Sequence, residues 1–253
     1  MRQTLTPLQK QLIFILALLL GAVVLLVSFL LVTRKEDTTT NEAVIASEEM
    51  TFPSSEYWVN NRELMEAGGI TVMHNHVPWD SPRRPGEVRE IRFLTIHETD
   101  NRSSGADSQA HNSLLTGDTS DITGWHYTVD DHAIYHNIPD NEISWNAGDS
   151  RTKPGGNMNG IGIEMCVNLT NDFEATLHNT AALCAELLML YDLRPDAVYF
   201  HEDFMDKVCP HRLISEGRKE EFEQMIVDDY TELLKQRVAT SIQEGVLGWK
   251  PMD

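Results

Sequence analysis

The sequence predicts an α/β (mixed α+β) domain with one central mixed β-sheet flanked by helices, preceded by a single transmembrane helix. Three observations carry this expectation. Residues 12–33 contain no charged side chain. Short apolar segments within 91–99, 124–139, 160–167 and 196–203 read as strands. Among them lies a segment, 173–191, whose apolar residues recur at helical spacing.

Taken from the N-terminus, residues 1–11 form a short stub and 12–33, LIFILALLLGAVVLLVSFLLVT, follow it. As a helix those 22 residues would span about 33 Å, the thickness of a bilayer's hydrocarbon core. A cleavable signal peptide is the competing reading. Its apolar region would run only roughly 7–15 residues, with small residues close behind. Here Val32, Thr33, Arg34 and Lys35 end the run, and the nearest small-residue site, Val44-Ile45-Ala46, lies well beyond. No cysteine precedes Cys166, which speaks against a lipid-modified anchor. The reading is therefore an uncleaved signal anchor. Arg2 and Lys10 precede it and Arg34 and Lys35 follow, so charge alone barely sets its orientation. A short stub before a large domain suggests that the stub stays inside, in the cytoplasm, and that the domain lies outside.

Residues 34–56 are polar, acidic and rich in Ser and Thr, as a flexible stalk would be. The folded domain is expected over 57–214, with an amphipathic helix and tail over 215–253. A short helix around Asn61–Ala67 would stop at Gly68-Gly69. VPWDSPRRPG (77–86), with three prolines and a glycine, must be a loop. IRFLTIHET (91–99) reads as a buried strand ending at His97, and residues 106–116 as a short helix. GWHYTVDD (124–131) and HAIYHNIP (132–139) read as two strands joined by a tight acidic turn. GIGIEMCV (160–167) is a short apolar strand and 173–191 a core helix. DAVYFHED (196–203) reads as a strand ending at His201. The closing helix, 215–243, carries the apolar stripe Phe222, Met225, Ile226, Tyr230, Leu233 and Leu234. There are no internal repeats.

The net charge is −19, and beyond residue 35 the chain holds 16 basic against 39 acidic residues, or −23. Such a domain repels nucleic acid at ordinary salt, so no nucleic-acid partner is expected. Cys166, Cys184 and Cys209 make no disulfide framework. Cys166 and Cys184 fall on the core strand and core helix, where buried thiols are expected, with a disulfide between them as the alternative outside the cytoplasm.

Three features point to chemistry. His97 and His201 each end an apolar strand. Cys209 follows His201 by eight residues, in a loop punctuated by Pro210. Glu164 interrupts the otherwise apolar strand GIGIEMCV. Two imidazoles and a thiolate form a three-ligand zinc set that leaves a fourth tetrahedral position for water, as a catalytic zinc requires. The spacing is neither a zinc finger nor an HExxH helix, and buried structural histidines are the alternative. A carboxylate on a buried strand is costly unless it is paired or functional. For Glu164 the readings are an internal salt bridge or a general base acting on zinc-bound water. Lys207, two residues before Cys209, is either a solvated surface lysine or an oxyanion stabiliser aimed into the same pocket.

Taken together these segments resemble the type-2 N-acetylmuramoyl-L-alanine amidases, zinc enzymes of the phage and Bacillus endolysin and autolysin type, related to peptidoglycan recognition proteins. The text carrying the resemblance is PRRPG with IRFLTIHETDN, then GWHYTVDDHAIYHNIPDNEISWNAGD, NGIGIEMCVN and FHEDFMDKVCPHRL, in that order between Tyr57 and Leu213. The resemblance implies one catalytic zinc held by His97, His201 and Cys209, with Glu164 as the acid/base residue and Lys207 as the transition-state stabiliser. It implies peptidoglycan as partner, cut at the bond between N-acetylmuramic acid and L-alanine, and a monomeric catalytic domain. The family often has His where this chain has Asn146, so altered substrate contacts are expected there. Some relatives place a catalytic Tyr where Trp125 stands. Trp125 and His126 are accordingly expected to line the substrate groove, His126 with a structural role as the alternative. A non-catalytic peptidoglycan-binding module is the alternative function. Such modules typically lose the cysteine ligand, which this chain retains.

Overall fold

The computed structural model describes residues 63–243. The stub, the expected transmembrane helix over 12–33, the stalk and the last ten residues lie outside the described residues. No helix among the described residues is long and apolar enough to cross a membrane.

The described chain opens on a hairpin. The helix expected around Asn61–Ala67 is absent over its described part, where Glu66–Ala67 forms strand β1, paired antiparallel with β2, Ile70–His74. Gly68 and Gly69 connect them with φ of 56° and 82°. Two successive left-handed residues match the right-handed twist of a two-residue hairpin, a conformation glycine adopts without strain. Gly-Gly therefore acts here as a hairpin turn and not as a helix stop. The proline-rich segment 77–86 is irregular, as expected.

The remaining elements alternate. Strand β3 is Phe93–Glu98, helix α1 Ser108–Thr116, β4 Tyr127–Val129 and β5 Ile134–His136. A single turn, α2, Gly156–Asn159, leads into β6, Gly160–Met165. Helix α3 is Phe173–Leu190, β7 Val198–Phe200, α4 His211–Ser215 and α5 Lys219–Gln243. Asp107 and Asp172 start α1 and α3 by accepting backbone N–H groups of the first turn.

The seven strands form one mixed sheet in the order β1-β2-β5-β4-β6-β3-β7. β1 with β2 and β4 with β5 are antiparallel, and the other neighbours are parallel. The register sorts side chains between the faces, because successive residues of a strand point opposite ways. Ile96, Ile163, Tyr127 and Phe200 share one face with Val72 and Ile134, and they pack under α3 and α5 through Leu177, Cys184, Leu188, Phe222 and Ile226. The other face carries Thr95, His97, Gly162, Glu164 and Thr128. A smaller apolar cluster, Val77, Leu115, Trp125 and Ile138, joins α1 to the loops.

The stripe expected along α5 is buried only in its first half. Phe222 and Ile226 are in the core, whereas Leu234 is 46% exposed. Cys166, Cys184 and Cys209 are all free and buried, so no disulfide joins Cys166 to Cys184.

Candidate active site

The site is built at the ends of parallel strands. β3 lies between β6 and β7, so its end stands beside the ends of both. His97 is the penultimate residue of β3 and pairs with Glu164 on β6. His201 follows β7 directly and opens a short 3-10 turn. The loop after it returns Cys209 to the same place, and the Cys209 carbonyl accepts the Glu202 N–H at 3.3 Å. Arg212, just beyond, donates its backbone N–H to Glu98 at 2.7 Å, which ties the loop to the end of β3.

His97 Nδ1 lies 2.9 Å from His201 Nδ1 and 4.0 Å from Cys209 Sγ. Ligands of a tetrahedral zinc are separated by about 3.3 Å for two nitrogens and about 3.6 Å for nitrogen and sulfur, given bonds of about 2.0–2.1 and 2.3 Å. All three donors lie within 4.8 Å of one another, close enough to share one such ion. All three residues are buried. The two rings meet edge to face at 70°, so nitrogens and not ring faces converge.

The second nitrogen of His97 settles its tautomer. His97 Nε2 lies 3.0 Å from Asn146 Oδ1, an acceptor, so Nε2 carries the proton and Nδ1 offers its lone pair inward. Asn146 is fixed in turn, donating from Nδ2 to Ser144 Oγ at 2.7 Å. Asn157 Oδ1 accepts the backbone N–H groups of Asn146 and Ala147. Gly162 lets this happen: a Cβ there would stand 2.8 Å from Asn146 Cγ. Burial, aided by His201, holds the His97 pKa well below the usual value, and burial with Lys207 lowers His201 to about 4. Both rings are thus neutral at pH 7, as metal ligands must be. Burial, aided by the Glu164 charge, pushes the Cys209 thiol up to about 12, so its deprotonation calls for a bound cation.

Glu164 is half-buried, and its Oε2 has no hydrogen-bond partner among the described residues. Burial raises its pKa to about 8, opposed by the Lys207 charge and reinforced by Glu98. The internal salt bridge considered for it is not formed among the described residues. Lys207 is exposed on the loop before Cys209, and its charge acts on Glu164, His97, His201 and Cys209 alike.

The residues expected to line the groove sit deeper. His126 is wholly buried: Nδ1 accepts the Gly162 N–H at 2.9 Å, and Nε2 faces the Glu142 carbonyl at 2.9 Å. No surface of it is left for a substrate, and its role is to brace the strand behind Glu164. Trp125 is 8% exposed and donates from Nε1 to Thr128 Oγ1 at 2.7 Å. Asn146 turns inward to His97 and not outward to a ligand. Asn146, Ser144 and Gly162 are the site residues whose work the sequence concealed, since no local pattern links positions so far apart.

Residues 87–212 match the family model described as N-acetylmuramoyl-L-alanine amidase. The amidase CwlH of Bacillus subtilis is 34% identical over 145 residues, covering 57% of each chain. The amidase XlyA of the same species is 35% identical over 146 residues, 57% of this chain and 48% of that one. The chain thus spans about half the length of these curated relatives. The solved catalytic domain of XlyA, 32% identical, superposes with a TM-score of 0.58 over 62% of this chain and 99% of that domain. The Staphylococcus aureus hydrolase AmiA, solved with its ligand, is 18% identical and shares the fold with a TM-score of 0.53. A mixed sheet that gathers His97, His201 and Cys209 beside Glu164, and a whole catalytic domain matched at this identity, place the chain in the N-acetylmuramoyl-L-alanine amidase family.

Proposed function

We propose that the chain is a zinc-dependent N-acetylmuramoyl-L-alanine amidase that hydrolyses the bond between N-acetylmuramic acid and L-alanine in bacterial peptidoglycan. The observation that carries this reading is the convergence of the His97, His201 and Cys209 donors beside Glu164 on the neighbouring strand. The donor set is one that binds zinc, and the neutral histidines, with the His97 lone pair turned inward, suit that ion. When bound, zinc supplies a Lewis acid and lowers the pKa of a coordinated water to about 7.

The chain's own residues supply the proton traffic. Glu164 accepts a proton from the attacking water and delivers it to the L-alanine nitrogen as that group leaves. The same carboxyl takes the proton and then releases it, as general acid–base catalysis requires. The Lys207 ammonium stabilises negative charge developing on the amide oxygen. The Asn146–His97 contact holds the ligand ring in place throughout.

The uncharged run 12–33 leads us to propose that the domain is tethered to the cell membrane and faces the wall. Protease added to intact spheroplasts would then remove the domain and leave a membrane-bound stub. A domain protected until lysis would contradict that placement.

Pelleting and release assays test catalysis against simple recognition. Incubated with purified peptidoglycan, the native chain should clear the suspension and the Glu164→Gln protein should co-sediment without clearing it. Co-sedimentation of both without clearing would mark a binding module.

A further inference from the structure

Three histidines converge on the sheet face opposite His97 and Glu164. β2 and β5 run parallel with His74 paired to His136, and His136 pairs in turn with Tyr127, a residue of the α3 face. His76, two residues beyond β2, brings its ring to the same end. His74 Nδ1 lies 3.0 Å and His76 Nε2 3.3 Å from His136 Nδ1. One nitrogen from each ring falls within 4.8 Å of the others. Their planes cross at 72–86°, so the rings meet through their edges. These separations fit the nitrogen–nitrogen edge of a tetrahedral zinc site, about 3.3 Å.

The surroundings prepare His136 as a ligand. It is fully buried and stacked on Tyr127, with ring centroids 4.4 Å apart and 4° between planes. Its Nε2 lies 3.3 Å from Asp140 Oδ1. Asp140 is itself buried and held by the Tyr127 and Tyr191 hydroxyls, at 3.0 and 2.8 Å. The negative charge of Asp140 beside Nε2, at ion-pair distance though not in hydrogen-bond geometry, favours the proton on that nitrogen and the lone pair on Nδ1, as carboxylates behind a metal site do for its histidines. Two further ring nitrogens are aimed at that lone pair. The nearby cation, Arg84, is neutralised by Glu142 through contacts of 2.8 and 2.6 Å. His76 also lines an open cavity of about 500 Å³, with Glu63 and Glu142 on its wall. An ion and its water therefore have a route in.

We propose that His74, His76 and His136 form a second metal site, separate from the His97–His201–Cys209 centre, that takes a divalent transition ion such as Zn2+. An all-imidazole set suits zinc, copper and nickel better than calcium or magnesium. The ion joins β2 and the segment after it to β5, and so fastens the β1–β2 hairpin to the sheet. It takes no part in hydrolysis.

Cobalt titration of the metal-stripped full-length chain, followed by absorption spectroscopy, tests this. A cobalt–thiolate centre gives a near-ultraviolet charge-transfer band and an all-imidazole site does not. The native chain should bind two equivalents, one with the thiolate band and one without. His76→Gln should bind one equivalent with that band intact, which also reports that the protein is folded. Cys209→Ser should bind one equivalent without it. Saturation of the native chain at a single equivalent, or two equivalents retained in both His76→Gln and His74→Gln, would overturn the proposal.

Discussion

Asn146 Oδ1 sits 3.0 Å from His97 Nε2, and that contact turns the lone pair of His97 Nδ1 toward His201 and Cys209. A neutral amide oxygen only accepts, so it selects one tautomer of the ring. Replacing Asn146 by Ala removes the selection without touching a ligand. Zinc affinity should fall by about 10–100-fold, the usual cost of losing such a partner. Competition with a chromophoric chelator measures it, and Asn146→Asp, which keeps the acceptor, should lose less.

Gly162 should prove intolerant for a related reason. A Cβ at that position would lie 2.8 Å from Asn146 Cγ, and its backbone N–H already binds His126. Gly162→Ala should cost about 1–3 kcal/mol of stability by overpacking. It should also weaken zinc binding, because Asn146 is pushed from His97. Thermal unfolding and chelator competition on one preparation check both effects.

Lys207 and Glu164 should separate in kinetics. Glu164→Gln should lower kcat by about 10²–10⁴-fold, the range for general acid–base catalysis. Lys207→Ala should lower it by about 10²–10³-fold, as loss of an oxyanion donor does. Neither side chain is a metal ligand, so zinc content should stay unchanged. Steady-state assays on soluble muropeptides with metal analysis of each variant provide the check.

The metal-free protein should show opposed pH dependences. Glu164 has its pKa raised to about 8, so the stability linked to its neutral form is present at low pH and lost as pH rises through 8. The Tm advantage of metal-free Glu164→Gln over the native chain should therefore grow from pH 5 to pH 9. His76 and His201 are depressed, to about 3 and 4. Their contribution is present above the unfolded-state pKa of about 6.5 and is lost as pH falls toward those values. Calorimetry across pH 4–9 reads both slopes.

Much of this architecture was legible in the sequence. The strands bearing His97 and Glu164 are short apolar runs, and 173–191 has clear helical spacing, so burial pattern and local propensity agreed there. His97, His201 and Cys209 stood out as strand-end and loop residues able to hold a metal, on a weak local signal that the family resemblance strengthened, and their donor atoms do come together. Gly68-Gly69 misled because two glycines end a helix or turn a hairpin equally well, and only the pairing of Ala67 with Ile70 decides between them. The inward contacts of Asn146 and His126 were concealed for a different reason. Their partners, His97 and the Gly162 N–H, lie 49 and 36 positions away, and the sheet register that unites them leaves no local trace. The His74–His76–His136 cluster was unreadable for the same cause, since β2 and β5 are separated in sequence by β3 and β4.

The most direct test is mass spectrometry of soluble products released from purified peptidoglycan by the zinc-loaded full-length chain, with Glu164→Gln as control. The account predicts free stem peptides beginning at L-alanine and glycan strands with intact lactyl carboxylates, both absent from the control. Products cut within the stem peptide or the glycan, or equal release by the Glu164→Gln protein, would contradict it.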